Sequence, residues 1–112
     1  MSEFNKKQKK HLRELAGLTY EKEMNLALGG LFEEFKKWEK GKLNPLDLNE
    51  KIHQHHNYKS RDLYKIYAMG DPEMAVARGI ARGLIKEEEV KENCLGSLER
   101  TIEFYKENKG LA

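Results

Sequence analysis

The sequence predicts an all-α fold in which a long amphipathic N-terminal helix packs against shorter helices in a bundle-like array. Long stretches are rich in Glu, Lys, Leu and Ala, only 2 of the 112 residues are proline, and apolar residues recur at helical spacing. Charged residues make up 36% of the chain and hydrophobic residues 38%, which suits a short helical protein with a thin core. We expect about five helices in a single domain over residues 1–112, with frayed ends at 1–5 and 109–112.

The first helix is predicted between about residues 5 and 40, and Gly41 supplies its stop signal. Apolar residues recur in four-residue steps from Leu12 to Phe32, which places them on one face of the helix. The stripe centred on Met24 occupies a band about 120° wide. It comprises Tyr20, Met24, Leu28, Leu31, Phe32, Phe35 and Trp38. The opposite side, which includes Glu23, carries charges of both signs and is expected to face solvent.

The length of this helix predicts a partner. A straight helix of about 36 residues is roughly 54 Å long, whereas a compact domain of this size has a diameter of roughly 34 Å. One resolution is a bend at Gly29–Gly30 or near Gly17, because small residues are a recognised cause of kinks. The other, which we favour, is a homodimer that buries the stripe. The predicted interface consists of Tyr20, Met24, Leu28, Leu31, Phe35 and Trp38.

The second and third helices are predicted from their capping signals. Asn44 is a capping residue, Pro45 suits the first helical position, and Asp47 complements the positive end of the helix dipole. This helix is expected to end near Asn57. A short third helix is then expected to begin at Ser60, whose hydroxyl suits an N-cap.

The fourth and fifth helices complete the predicted array. The fourth starts at Asp71–Pro72, and its glycines Gly79 and Gly83 predict a close contact with another helix, because each glycine costs about 1 kcal/mol in a helix interior. The fifth starts at the acidic run Glu87–Glu89, which suits a positive helix end. Its inward residues are predicted to be Val90, Cys94, Leu98, Ile102 and Tyr105.

Composition and charge exclude several classes of protein. The longest stretch without a charged residue runs from Met24 to Phe32, far shorter than the roughly 20 apolar residues of a membrane helix. The basic N-terminus is not followed by an apolar region, so a secretory signal is not expected and the predicted location is cytoplasmic. The single cysteine, Cys94, is predicted to be a small buried hydrophobic residue. The net charge is only +2 and the sequence has no recognisable DNA- or RNA-binding motif, which argues against nucleic-acid binding.

A histidine-rich segment offers candidate metal ligands. Glu50-x-x-His53 has the carboxylate–histidine spacing found in di-iron helical bundles, and His56 supplies another imidazole. On a helical wheel these side chains diverge, and the chain has no second Glu-x-x-His. No cofactor is the leading expectation; a divalent transition metal held by Glu50, His53 and His56 is the alternative.

Three arginines form a candidate ligand site. The guanidinium groups of Arg61, Arg78 and Arg82 have the geometry to hold a phosphate or carboxylate, and the last two share one side of a helix. The reading that we prefer is ion pairing with acidic side chains such as Glu73 or Asp62.

These patterns predict a protein that functions by binding other proteins. Phosphate-cradling glycine loops, nucleophile elbows and paired zinc ligands are absent from the sequence, so an enzyme is not supported. The leading hypothesis is a cytoplasmic protein–protein interaction or regulatory module that acts as a homodimer. The alternative is a helical metal- or small-ligand-binding protein, or an enzyme, that uses Glu50, His53 and His56.

Overall fold

The computed structural model describes residues 4–108, and this part of the chain is helical without a β-strand. The all-α prediction is confirmed. The elements are α1 (Lys6–Glu39), α2 (Pro45–Gln54), a π-helical segment (His55–Ser60), α3 (Arg61–Tyr67), α4 (Pro72–Ala81), a 3₁₀ turn (Glu87–Glu89) and α5 (Leu95–Glu107). Most of the predicted frayed ends, residues 1–3 and 109–112, lies outside the described residues.

The start of α1 is fixed by a reciprocal cap. The backbone N–H of Gln8 donates to Oδ1 of Asn5 over 2.8 Å, and the backbone N–H of Asn5 donates to Oε1 of Gln8 over 2.9 Å. Two of the free N–H groups at this helix end are thereby satisfied. Phe4 is buried, so the chain is already packed before the helix begins, where we expected fraying.

Helix α1 runs unbroken for 34 residues through Gly17 and Gly29–Gly30. Its length of about 51 Å nearly equals the longest dimension of the described chain, 53 Å. The alternative of a sharp bend at these glycines is therefore not observed. The helix spans the length of the described chain, and α2, the π-helical segment, α3 and α4 pack along parts of it.

The second and third predicted helices are one continuous rod over residues 45–67. Its predicted start is confirmed, because the backbone N–H of Asp47 donates to Oδ1 of Asn44 over 2.8 Å. The predicted end near Asn57 and the cap at Ser60 are wrong: Ser60 has helical φ and ψ angles and makes no capping hydrogen bond. The polar run contains no Gly or Pro to stop the helix, which passes through it as a π turn. Four helical bodies result, not five.

Helix α4 is the centre of the core, because both α1 and α5 pack against it. A Cβ atom on Gly79 would lie 2.6 Å from Cγ2 of Thr19 on α1. The close helix contact predicted from the glycines of this helix is thus confirmed at Gly79. The core cluster contains Phe4, Leu12, Leu15, Ala16, Ala75, Val76, Ala77, Ile80, Ile85, Val90, Cys94, Leu98 and Ile102.

The start of the last helix differs from its prediction. Glu87–Glu89 form a 3₁₀ turn, in which the carboxylate of Glu89 accepts a 2.7 Å hydrogen bond from the backbone N–H of Lys86. Glu92 and Asn93 then adopt positive φ angles of 59°, so α5 begins only at Leu95. The carboxylate of Glu89 thus caps the short turn at Lys86, and the two residues with positive φ separate this turn from α5.

The inward side of α1 is the predicted one only at Leu12 and Ala16, the first residues of the predicted apolar series. Its buried residues are Leu12, Leu15, Ala16, Thr19 and Glu23. The centre of this face lies about 120° around the helix from Met24, the centre of the predicted stripe. The prediction followed the largest apolar side chains, most of which lie in the second half of the helix, whereas the core packs against mid-sized side chains in the first half. Glu23, predicted to face solvent, is buried.

Candidate functional site

The second half of α1 presents an exposed apolar face. Leu28, Phe32, Phe35 and Trp38 are 48%, 57%, 37% and 46% exposed, respectively. Their spacing of four, three and three residues keeps them on one side of the helix. These four residues are called the α1 face below. Isolated exposed apolar side chains are common, whereas large contiguous apolar patches are uncommon on monomeric proteins.

The remaining residues of the predicted interface lie closer to the fold. Tyr20 stacks on Tyr67 of α3 with ring centroids 4.9 Å apart and an interplanar angle of 8°. Met24 and Leu31 are half-buried. The predicted stripe therefore divides: Tyr20, Met24 and Leu31 are partly covered by the rest of the chain, and the four residues of the α1 face are exposed.

A cleft runs beside α1 where α2, the π-helical segment and α3 pack against it. Its larger part has a volume of about 590 Å³ and includes Leu31 and Tyr58. A second part of about 320 Å³ extends toward Arg82. Both parts are lined by Ala27, Gly30 and Lys59. Because they share these residues, they form one elongated groove, called the π cleft below.

The candidate metal ligands are not brought together. Glu50 and His53 line one shallow depression, whereas His56 lines another with Arg61. Within residues 4–108, no three His, Cys, Asp or Glu side chains are placed to hold a metal ion. The helical-wheel divergence of these side chains is visible in the structure, which gives the metal alternative no support.

The three candidate arginines are separated as well. Arg78 is buried and makes a two-armed ion pair with Glu23: Nη1 donates to Oε1 over 2.6 Å and Nη2 donates to Oε2 over 3.1 Å. Arg82 reaches the same carboxylate at 3.7 Å, whereas Arg61 is exposed in the depression beside His56. Ion pairing is thus observed for two of them, but the partner is Glu23 and not the predicted Glu73 or Asp62.

Tyr67 completes this buried network. Its hydroxyl donates to Oε1 of Glu23 over 2.6 Å and accepts from Nη1 of Arg78 over 3.2 Å. The side chains of Arg78 and Glu23 are only 7% and 9% exposed. Among the described residues, nothing accepts a hydrogen bond from the buried Nε of Arg78. The network ties α1 to α3 and α4 at the midpoint of α1.

The network shifts the titration of its members. Burial by itself raises the pKa of Glu23, but the hydrogen bonds from Arg78 and Tyr67 and the charges of Arg78 and Arg82 outweigh it, so the pKa lies below its ordinary value. Burial and the hydrogen bond to Glu23 raise the pKa of Tyr67. Glu23 is therefore a carboxylate and Tyr67 a neutral phenol at neutral pH, which makes this a structural ion pair.

The sequence did not indicate most of the residues that line the π cleft, of which Leu31 and Arg82 were candidates for other sites, and it did not indicate the partner of Arg78. Glu23 looks like its solvated neighbours on α1, and only knowledge of the packing face identifies it as buried. Lys59 and Tyr58 stand in a polar run that the sequence suggests is a helix end. One available signal was the pair Gly29–Gly30 in the middle of an otherwise strong helix, because glycine is unfavourable there.

Comparison of the chain with models of known families, with curated proteins and with solved structures finds no match. In the part of the chain that the structure describes, every helix is too short or too polar to cross a membrane. The site must therefore be interpreted from its own geometry.

Proposed function

We propose that the protein is a cytoplasmic helical interaction module that acts as a homodimer, with the α1 face covered by the same face of a second copy. The observation that carries the proposal is the exposure of four large apolar side chains on one side of α1. Burying apolar surface is the main driving force of association, and aromatic side chains are enriched in interface cores.

A second copy is the favoured occupant because the charges next to the α1 face are balanced. Lys36 and Lys37 pair with Glu33 and Glu34 at 3.3 Å each. The ammonium of Lys36 also lies 4.9 Å from the ring centroid of Phe32. Two identical surfaces with equal numbers of both signs meet without net repulsion, which suits a two-fold interface.

The test is sedimentation velocity of the full chain over a range of concentrations. Wild type is expected to pass from monomer to dimer, and Phe32→Ser is expected to remain monomeric because it removes the centre of the α1 face. Leu18→Ser is the matched control, since Leu18 is 40% exposed on the other half of the same helix and should dimerise like wild type. Circular dichroism checks that all three proteins keep the same helix content.

Two results would overturn the proposal. One is a wild-type protein that stays monomeric at every concentration, in which case a different protein would have to cover the α1 face. The other is a Phe32→Ser variant that dimerises as strongly as wild type, which would place the interface elsewhere.

A further inference from the structure

We infer that the π cleft is a binding site for a small amphipathic anion, a molecule with one anionic group on an apolar body. This inference goes beyond the homodimer, because none of the residues that line the π cleft belongs to the α1 face. Its two parts, about 590 and 320 Å³, are in the size range of small-molecule sites. The cleft and the face can therefore be tested separately.

The floor of the cleft has a glycine that the fold itself does not need. Gly30 lines both parts of the cleft, and a Cβ atom there would meet no heavy atom within 4 Å. Gly79 is different, because its missing side chain makes room for Thr19. Glycine in a helix interior is destabilising by about 1 kcal/mol relative to alanine. Gly17 and Gly29 on α1 also meet open space, so Gly30 is distinguished by its place on the floor of both parts of the cleft, where a bound molecule can approach the backbone closely.

The walls of the cleft supply apolar surface around this floor. Ala27 and Leu31 lie beside Gly30 on α1, and Tyr58 faces them from the π-helical segment. Leu26 and Leu84 line the narrower part. π turns are rare and occur often at functional sites. The lining therefore suits an apolar body that lies along α1.

The charges of the cleft select the sign of the ligand. Its acidic residues are mostly neutralised, because Glu23 pairs with Arg78 and Glu34 pairs with Lys37. The side chain of Lys59, which lines both parts, makes no ion pair or hydrogen bond with any described residue. The side chain of Lys51 at the wider end is likewise without an ion pair, whereas Arg82 at the narrower end pairs with Glu23 at 3.7 Å.

Among the described lining residues, Asp62 is the one acid without an ion pair that offsets the charges of Lys51 and Lys59. The excess of positive charge is centred where the two parts of the cleft meet. An anionic group beside Lys59 would complement it, with the apolar body over Gly30. A cationic amphiphile of the same length would place its charge against that excess.

The experiment is calorimetric titration of the full chain with octyl sulfate and with octyltrimethylammonium, both below the concentrations at which they form micelles. The two probes have the same chain and opposite charges. Octyl sulfate is expected to bind more tightly by about fivefold or more, the factor that corresponds to roughly 1 kcal/mol. Circular dichroism confirms that helix content is unchanged during the titration.

Matched variants locate the site. Gly30→Leu is expected to abolish octyl sulfate binding because its side chain fills the cleft, whereas Gly17→Leu, also in open space on α1, should bind like wild type. Lys59→Gln should reduce the affinity for octyl sulfate by about threefold to fivefold, and Lys65→Gln on α3 should not. Phe32→Ser separates the two surfaces and should leave binding unchanged.

The inference is wrong if the two probes bind equally well, or if Gly30→Leu retains wild-type affinity for octyl sulfate. It is also wrong if Phe32→Ser removes the binding, because the probe would then occupy the α1 face. Absence of octyl sulfate binding to wild type contradicts it as well.

Discussion

The two halves of α1 have the same helical periodicity and opposite surroundings. All the buried residues of the helix lie between Leu12 and Glu23, where α4 and α5 form the core. From Met24 to Glu39 no residue is buried, and the four residues of the α1 face are exposed. Periodicity therefore shows that a face is apolar, but the elements that pack against that face decide whether it is buried or exposed.

The two halves of α1 also differ in how far their charged side chains are buried. At the end of the first half, Glu23 is removed from water and held by Arg78 and Tyr67. In the second half, Glu33 forms an exposed ion pair with Lys36, three residues further along the helix. Buried pairs depend on both partners, whereas exposed pairs contribute little to stability. The same type of substitution should thus change the free energy of unfolding by very different amounts in the two halves.

The largest difference in stability between the two halves is expected when a glutamate is replaced by alanine. Glu23→Ala should lower the free energy of unfolding by about 3–5 kcal/mol, because it leaves Arg78 buried without its counter-ion. Glu33→Ala, in the exposed half, should change it by about 0.5 kcal/mol or less. Urea denaturation of both variants measures the difference. Equal effects would mean that the Glu23 pair is open to water.

A second comparison uses two leucines. Leu12 is 1% exposed, whereas Leu28 is 48% exposed. Leu12→Ala should destabilise the protein by about 3 kcal/mol through lost burial and the cavity left behind. Leu28→Ala should cost the monomer less than about 1 kcal/mol and should instead weaken dimerisation. Denaturation at low protein concentration, where the monomer dominates, separates the two effects.

The third comparison substitutes alanine for glycine in two places. Gly79→Ala should destabilise the protein by about 1–3 kcal/mol because its Cβ would clash with Thr19. Gly29→Ala, which meets open space on α1, should stabilise it by about 0.5–1 kcal/mol through helix propensity. Thermal unfolding should therefore show shifts of opposite sign, and shifts of the same sign would contradict the packing at Gly79.

The smallest expected effect comes from lowering the pH, which protonates Glu23 without a substitution. Because its pKa is lowered in the folded state, its contribution to stability is complete above the ordinary value of 4.5 and is lost as the pH falls through the folded pKa. The stability difference between wild type and Glu23→Gln should therefore shrink as the pH drops below about 4.5. A difference that is constant from neutral to acid pH would show that Glu23 is not held as an anion.

Local signals predicted much of the fold. The cap of Asn44 on Asp47, the close approach at Gly79 and the burial of Leu98 and Ile102 all follow from residue type and spacing. These features depend on neighbours within one helix or on steric size. The sequence therefore sufficed for the helical class, for the start of α2 and for the inward side of α5.

Long-range pairing was beyond the sequence. Glu23 and Arg78 are 55 positions apart, and nothing near either residue specifies the other. The choice between two faces of α1 depended on which elements pack there, and the π cleft exists only because the helix continues through Ser60. Candidate ligands were predicted from residue type alone, which selected His53 and His56 and did not select Lys59.

The most direct test of the difference between the halves uses Trp38, the only tryptophan of the chain and a member of the α1 face. Acrylamide quenching of its fluorescence is measured over a range of protein concentrations. Burial in a homodimer predicts weak quenching at high concentration and strong quenching on dilution, with Phe32→Ser strongly quenched throughout. Wild-type quenching that is equally strong at every concentration would contradict the claim that a second copy covers this face.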